Sequence, residues 1–188
     1  MVAPVAYGDI SQQEADMIGA AASWLPDYVR TASNFRQLCR DSVVAGSPAQ
    51  ELIGLGFETG DGQAALRGIV ADDYLMGTCQ LLSATTGLTN FTLYAAIRGA
   101  FESDAMICWL LEPGLSALLR AARMFVLRLR LQKQNEKFAP FKAFASERRA
   151  VIHEQAAELG LSVKAETVAG EQLPTMTALV KQLLPDLG

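Results

Sequence analysis

The sequence has one histidine, His153, among 188 residues, and it contains neither a Cys-x-x-Cys nor a Glu-x-x-His pattern. Zinc sites and di-iron bundles are built from these patterns, so we predict no metal site and assign no cofactor. The nucleophile elbow of serine hydrolases is also missing. The glycines Gly54 and Gly56 follow no predicted strand, and the third glycine comes one residue late, which argues against a dinucleotide-binding loop.

Export signals and long apolar runs are missing as well. The first ten residues, MVAPVAYGDI, lack the basic start and the apolar run of a signal peptide. The longest uncharged stretch, from Tyr74 to Ile97, is divided by the turn-like sequence TTGLTN, so no transmembrane helix is predicted. The three cysteines, Cys39, Cys79 and Cys108, lie on three predicted helices. Such an odd, dispersed set is typical of buried thiols in a reducing compartment, which predicts a cytoplasmic protein without a membrane partner.

Runs of β-branched residues are scarce, whereas 51% of the residues are hydrophobic and alanine and leucine are prominent. This composition favours helices. A capping box at Ser11 to Glu14 and an N-cap at Asn90 mark two helix starts, and Pro26 predicts a break in the first helix. We therefore expect an all-α, single-domain, mostly antiparallel bundle over residues 1–188, with five to six helices at about 11–44, 63–85, 90–111, 115–138, 141–159 and 174–184. The glycine-rich stretch after the first helix is expected to hold at most one short helical turn, and residues 160–173 a loop or a small hairpin.

The basic residues are concentrated in one part of the chain. Residues 120–149 include nine Lys or Arg and two Glu, so this segment carries +7 and the remainder of the chain carries −11. One interpretation is an internal match, in which a basic helix lies against acidic neighbours. The other is a face that binds nucleic acid or phosphate.

The helix predicted over 90–111 has two charged residues beside its apolar face. The apolar stripe consists of Tyr94, Ile97, Phe101, Ala105 and Cys108, and the expected solvent face includes Thr92, Ala96, Gly99 and Ser103. Arg98 and Glu102 fall next to the stripe, on the flank that also carries Trp109. We therefore expect this i,i+4 pair to be partly buried.

A buried charge is strongly unfavourable without a partner, so the pair needs hydrogen-bonding neighbours. The candidates on neighbouring helices are Asp72, Asp73, Arg120 and Arg123. The set consisting of Arg98, Glu102, Asp72, Asp73, Trp109, Arg120 and Arg123 has two interpretations. It is either an ion-pair network that determines how the helices pack, or a polar pocket for a small anionic or polar ligand.

The helix predicted over 115–138 is apolar on two sides. One stripe consists of Leu118, Ala122, Phe125 and Leu129, and the opposite one of Met124, Leu127 and Leu131. Such a helix is either central in its bundle or covered by another subunit. The second case predicts a homodimer whose interface is formed by Met124, Leu127 and Leu131.

Arg148 and His153, in the sequence RRAVIH, are the candidate catalytic residues. Their spacing resembles the loose Arg-x₄-His motif of HEPN nucleases, small helical proteins whose paired subunits cleave RNA without a metal. The resemblance implies acid–base chemistry for His153 and stabilisation of phosphate charge by Arg148. The alternative is a surface histidine on a basic helix, since Arg149 lies closer than Arg148 to the face of His153.

The run from Asp72 to Pro113 resembles a family of uncharacterised all-α proteins that is common in actinobacteria and distantly similar to HEPN domains. The shared pattern is an Arg-x-x-x-Glu-Ser helix that ends in Trp-x-Leu-Asp/Glu-Pro and is followed by an arginine-rich helix. The matching residues are Arg98, Glu102, Ser103, Trp109, Leu111, Glu112, Pro113, Arg120 and Arg123. The resemblance covers about two-thirds of the chain and implies a helical fold without implying an activity.

Three classes of function remain open from the sequence. The favoured one is a non-enzymatic helical bundle that binds a small ligand or a protein partner. The second is an HEPN-like protein that cleaves or binds RNA in a toxin or defence system. The third is an enzyme of unrecognised type that uses the cluster formed by Arg98, Glu102, Asp72 and Asp73.

Overall fold

The computed structural model describes residues 11–41, 45–56, 60–83 and 90–183. Their architecture confirms the predicted all-α class, with seven α-helices in this part of the chain against the five to six expected. The helices are α1 (Gln12–Asp41), α2 (Pro48–Gly54), α3 (Gly60–Ser83), α4 (Asn90–Leu110), α5 (Ala117–Asn135), α6 (Lys142–Glu158) and α7 (Met176–Leu183). A 3₁₀ turn (Ala139–Phe141) joins α5 to α6. Between α6 and α7, the strands β1 (Val163–Lys164) and β2 (Thr167–Val168) form a small antiparallel hairpin, one of the two alternatives expected there.

The chain divides into two compact units. Unit 1 consists of Met1–Ser42 and Ala65–Ala105, and unit 2 consists of Val43–Ala64 and Met106–Gly188. Each unit is described by itself below. The single domain expected over residues 1–188 stays a prediction.

The break expected at Pro26 is wrong, because α1 continues through this residue. A proline removes only one backbone N–H from a helix. On either side of it, Leu25 and Val29 are buried in a small apolar cluster with Cys79 and the partly buried Leu75 of α3. This packing of α1 against α3 stabilises the helix across the proline. The helix begins directly after Ser11, as predicted, while the side chains of the other capping residues, at positions 14 and 90, lie outside the described residues.

Within unit 1, α4 buries a different face from the one expected. Three large side chains of the predicted apolar stripe are exposed, namely Tyr94, Ile97 and Phe101, whereas Ser103, expected in solvent, is 3% exposed. Small residues allow another helix to approach closely. A Cβ atom added at Gly99 would lie 2.6 Å from the ring of Tyr74 on α3. Contact between α3 and α4 therefore depends on glycine at this position, and the large side chains of α4 remain outside.

Unit 2 is organised around α5. This helix packs against α2, α6 and β2, and α6 also packs against β1. The largest fully buried side chains come from α5, α6, β2 and α7, and they are Phe125, Val126, Leu129, Ile152, Val168 and Leu179. The two apolar sides of α5 are therefore explained by its central position in unit 2, the first of the two alternatives that the sequence left open.

The helix α2 replaces the single short turn expected in the glycine-rich stretch. The Ser47 hydroxyl oxygen accepts a hydrogen bond from the backbone N–H of Gln50 at 3.3 Å, and the Gln50 side chain accepts one from the N–H of Gly46 at 2.5 Å. Pro48 occupies the first turn, where a missing N–H is tolerated. The sequence Ser-Pro-Ala-Gln therefore caps the N-terminus of α2 in the manner of a capping box. This cap explains why a helix forms here.

The hairpin pairs Val163 with Val168, and its turn places Glu166 beside α5. Ala165 and Ala169 flank β2 with φ values of +52° and +51°. Non-glycine residues seldom adopt this left-handed conformation, and Val168 between them is completely buried. Val168 is buried and the neighbouring Glu166 and Glu171 pair with α5. These contacts therefore hold Ala165 and Ala169 in an unfavourable backbone conformation.

Among the described residues, no helix combines the length and the apolar character needed to cross a bilayer.

Candidate functional site

Arg123, on α5, is a charged residue that is only 8% exposed. Its Nε donates to Oε2 of Glu171 at 2.7 Å, and its Nη1 donates to Oε2 of Glu112 at 2.7 Å and to the backbone carbonyl of Trp109. The guanidinium carbon also lies 5.0 Å from the centroid of the Trp109 ring. We call these four residues the Arg123 node.

The chemistry of the Arg123 node is that of a structural ion pair. A buried guanidinium is unfavourable unless opposite charge and hydrogen bonds replace its water. Two carboxylates, one carbonyl and one aromatic face do so here. Because Glu171 follows β2 and Glu112 follows α4, the node attaches both connecting segments to α5. The node therefore determines where the segment after the hairpin lies in unit 2.

A cleft of about 320 Å³ lies in unit 2 between α5 and the segment from the hairpin to the start of α7. Its lining residues are Val126, Arg130, Glu166, Thr167, Gln172, Leu173, Pro174 and Thr175. The Thr175 hydroxyl oxygen accepts from the N–H of Ala178 at 3.2 Å, so α7 begins at the edge of the cleft. The cleft thus combines charged, polar and apolar walls in a volume at the small end of the range for ligand sites.

The charges of the cleft are centred on Glu166. Its carboxylate accepts from Arg130 Nη1 at 3.0 Å and from the Nζ of Lys133. The hydrogen bond from Lys133, followed by that from Arg130, lowers the pKa of Glu166 below the ordinary carboxyl value. Lys133 lies outside the lining, so the charged side chains that line the cleft are Arg130 and Glu166. Since a guanidinium has five N–H donors, Arg130 retains donors for a further acceptor.

The ion pairs of residues 120–149 agree with the first interpretation of the sequence, in which the basic segment lies against acidic neighbours. Arg123, Arg130 and Lys133 all pair with glutamates of unit 2. Arg149 likewise donates to both carboxylate oxygens of Glu136, at 3.0 and 3.1 Å.

Arg98 and Glu102 form the expected ion pair in unit 1, and the partial burial expected for it holds for Glu102 but is wrong for Arg98. Arg98 Nε lies 2.7 Å from Glu102 Oε1, and the two side chains are 60% and 36% exposed, respectively. The hydrogen bond and charge of Glu102 raise the pKa of Arg98. Arg98 faces solvent because α4 buries its small residues instead. Of the two aspartates proposed as partners, Asp72 is buried and Asp73 is exposed.

The residues of the predicted polar set that belong to unit 2 have other partners. Trp109 and Arg123 meet in the Arg123 node, as described above. Arg120 donates from its side chain to the backbone carbonyls of Leu115 and Glu112, at 3.4 and 3.3 Å. Arg120 therefore satisfies the carbonyls of the loop before α5.

The predicted homodimer stays a prediction, but two of the three residues proposed for its interface are buried within the chain. Met124 and Leu127 are 5% and 6% exposed, and only Leu131 reaches solvent. The reason is the central position of α5, whose second apolar side is covered within the chain.

The cysteines differ in their exposure. Cys79 is buried, and burial raises the pKa of its thiol, whereas Cys108 is exposed, against expectation. The side chain of Cys39 lies outside the described residues.

The candidate catalytic residues Arg148 and His153 both lie on α6. The Arg148 guanidinium carbon is 5.1 Å from the centroid of the Phe144 ring, one turn earlier on the helix. His153 is half-buried. Arg149, the nearer arginine on the helix face, is engaged by Glu136. The Arg148 side chain therefore extends towards the turn between α5 and α6.

Sequence reasoning did not find the two carboxylates that organise unit 2. Glu171 lies 48 residues from Arg123 and Glu166 lies 36 residues from Arg130. No local spacing signals either contact, because the hairpin brings them together. Within the described ranges, no group of three or more His, Cys, Asp or Glu residues is arranged to hold a metal ion.

Comparison with protein-family models, with curated proteins and with solved structures finds no match to this chain. The site is therefore interpreted from its own geometry.

Proposed function

We propose that the protein is a non-enzymatic helical binding protein, and that the cleft of unit 2 holds a small organic anion bearing a short apolar group. The observation that carries the proposal is the cleft itself, whose lining combines the cationic Arg130 with apolar residues. Pockets for small molecules are mostly apolar, with few polar groups that fix orientation. The side chains of Val126, Leu173 and Pro174 supply the apolar part here.

The donors of Arg130 support an anionic ligand. The Glu166 carboxylate is shared by Arg130, in the lining of the cleft, and Lys133, outside that lining. Charge-assisted hydrogen bonds to a guanidinium are the stronger kind, and a carboxylate matches their geometry. A ligand carboxylate would therefore meet the remaining donors of Arg130, while its apolar group would lie against Leu173 and Pro174.

The state of Glu166 supports binding over catalysis. It is the carboxylate in the lining of the cleft, and a general base works best when its pKa lies near the working pH. The two cations lower the pKa of Glu166, away from neutrality. Its role in this proposal is therefore to hold Arg130 and Lys133 in place.

Calorimetric titrations and thermal melts with acetate, butyrate and hexanoate, matched by butyramide as the neutral control, test the proposal. We expect saturable binding that strengthens from acetate to butyrate and is absent with butyramide. At a hundredfold excess over Kd, a ligand stabilises the folded protein by about 2.7 kcal/mol. Arg130→Gln should abolish the effect, and Lys142→Gln, outside the cleft, should not. Equal stabilisation by inorganic sulfate, or unchanged binding to Arg130→Gln, would contradict the proposal.

A second candidate function is self-association through α1 of unit 1. Met17, Trp24 and Tyr28 lie on one face of this helix and are all more than half exposed. The Trp24 and Tyr28 rings form an edge-to-face pair with centroids 5.7 Å apart. Exposed apolar patches on soluble proteins mark interaction sites, and an isologous dimer places one such face against its copy.

Light scattering at high micromolar concentration tests self-association. We expect a dimer that Trp24→Ser converts to a monomer, with Leu118→Ala as an exposed apolar control outside unit 1. If the wild-type protein is a monomer, self-association through α1 is excluded, and the ligand proposal is unaffected.

A further inference from the structure

The turn between α5 and α6 exposes three phenylalanines in seven residues. Phe138, Phe141 and Phe144 are 62%, 56% and 51% exposed. The N–H of Phe141 donates to the carbonyl of Phe138 at 2.9 Å, which closes the 3₁₀ turn between them. Residues three apart lie on the same side of a 3₁₀ or α-helical turn. Phe141 and Phe144 therefore lie on the same side, and the extended Phe138 precedes them at the start of the 3₁₀ turn; we call these three exposed rings the phenylalanine row.

The cations of the basic segment have different partners, and Arg128 donates to Gln155 at 3.0 Å while Arg149 donates to Glu136. Those near the hairpin and the α4–α5 loop pair with glutamates or carbonyls, as shown above. Lys137, Lys142 and Arg148 pair with no carboxylate in the part of the chain that the structure describes. All three lie within four residues of the phenylalanine row. Of the nearby acids, Glu136 is engaged by Arg149, so Glu147 alone offsets the three cations.

Arg148 connects the cations with the rings. Its guanidinium lies over Phe144, so a cation and an aromatic face are already stacked at one end of the row. Towards α5, the positive charge of Arg148 adds to the effect of burial in lowering the pKa of Arg128. The turn is therefore a region of positive potential with flat apolar faces.

We infer that this turn binds single-stranded nucleic acid, with bases stacked on the phenylalanine row and phosphates held by Lys137, Lys142 and Arg148. Proteins that bind single strands without sequence preference combine aromatic stacking faces with cations along the backbone. An unpaired base has an accessible π-face, which a duplex does not offer. The inference is independent of the proposed function, because neither the cleft nor Arg130 takes part.

Fluorescence anisotropy of fluorescein-labelled dT₁₂ and U₁₂, titrated with the full chain, tests the inference. Three phosphate contacts on a single strand predict that log K falls with log salt with a slope of about −2, a loss of roughly 16-fold between 50 and 200 mM NaCl. The combined variant Lys137→Gln/Lys142→Gln should reduce the slope to about −0.7. Lys164→Gln, an exposed lysine on β1, is the matched control and should not change it.

Replacing the three phenylalanines by leucine separates stacking from apolar contact. The combined variant Phe138→Leu/Phe141→Leu/Phe144→Leu keeps an apolar surface without flat rings, and we expect oligonucleotide affinity to fall at least tenfold, about the size expected for lost stacking. Leu118→Ala should bind as the wild type does. Circular dichroism of each variant checks the fold. Equal binding to a twelve-base-pair duplex, affinity unchanged in the leucine variant, or binding only to vesicles of 3:1 phosphatidylcholine and phosphatidylserine would each overturn the inference.

Discussion

The two units bury their apolar side chains to different extents. In unit 2, six large side chains from four elements are fully buried around α5. In unit 1, the described apolar cluster consists of Leu25, Val29 and Cys79, with Leu75 packed against it. Among the described residues, unit 1 exposes ten large apolar side chains, Met17, Trp24, Tyr28, Leu66, Ile69, Tyr74, Met76, Tyr94, Ile97 and Phe101, and unit 2 exposes eight, Ile53, Leu55, Leu111, Leu118, Leu131, Phe138, Phe141 and Phe144. An apolar helix face therefore becomes core only where other elements cover it, as β2, α6 and α2 cover α5.

The two units also differ in how they surround an arginine that pairs with glutamate. Arg123 in unit 2 and Arg98 in unit 1 both pair with glutamate at 2.7 Å. Arg123 is enclosed and has two carboxylates, one carbonyl and one ring as partners, whereas the Arg98 side chain is largely in water. Exposed pairs contribute little to stability, while removing one partner of a buried pair is strongly unfavourable. The number and burial of the partners decide what an arginine contributes.

The largest expected effect distinguishes the cores of the two units. Phe125→Ala should reduce the free energy of unfolding by about 3–5 kcal/mol because it leaves a cavity in a closed core. Phe101→Ala, at a half-exposed ring on α4, should reduce it by less than about 1 kcal/mol. Urea unfolding in a Trp24→Phe background measures both, since Trp109 then reports unit 2 and circular dichroism reports all helices. Similar losses for the two variants would show that unit 1 also closes over Phe101.

Removing the buried arginine should have the next largest effect. Arg123→Ala leaves Glu112 and Glu171 without their cation. We expect a loss of about 2–3 kcal/mol, below the usual range for buried pairs because both carboxylates reach solvent. Arg98→Ala should leave the urea midpoint unchanged within error. Glu171→Gln is the conservative control, and it should lose less than Arg123→Ala. A midpoint unchanged by Arg123→Ala would contradict the structural role of the Arg123 node.

The close contact between α3 and α4 predicts an effect of intermediate size. Gly99→Ala gains about 1 kcal/mol of helix propensity but places a methyl group 2.6 Å from the Tyr74 ring. We expect a net loss of about 1 kcal/mol. In a Tyr74→Ala background the same change should stabilise the protein by about 1 kcal/mol, and the double-mutant cycle measures the difference. Stabilisation by Gly99→Ala in the wild-type background would show that the ring moves aside easily.

The smallest expected effect concerns pH. Because Lys133 and Arg130 lower the pKa of Glu166 in the folded state, the ion pairs stabilise the fold fully above the ordinary carboxyl pKa. This contribution is lost as the pH falls through the lowered pKa of the folded state. Glu166→Gln should therefore lower Tm at pH 7, and the difference from the wild type should shrink as the pH falls towards 2. Thermal melts from pH 2 to 7 measure this, with the exposed Glu51→Gln as control. An equal difference at both pH values would exclude an electrostatic origin.

Much of the fold was predictable because helices depend on local signals. Periodicity, Ser11 and the prolines place most helix boundaries within three residues of those observed. The capping signal at Ser47 to Gln50 is also local, although glycines surround it. A proline inside a helix is locally unfavourable, so local rules predict a break at Pro26, whereas α1 continues and its residues Leu25 and Val29 are buried. The site was less predictable, since Trp109 and Arg123 were expected in a polar network but their carboxylates Glu112 and Glu171 were not.

Residue type and short-range spacing are enough to predict the all-α class, the places of the long helices and the concentration of positive charge in residues 120–149. The packing of the folded chain decides which helix faces are buried, which arginine is enclosed and which of the described cations keep no carboxylate partner. Those outcomes depend on contacts between residues far apart in sequence, such as Arg123 with Glu171 and Arg130 with Glu166. A period of 3.6 residues shows that a helix has an apolar side, but what covers that side depends on how the other elements pack.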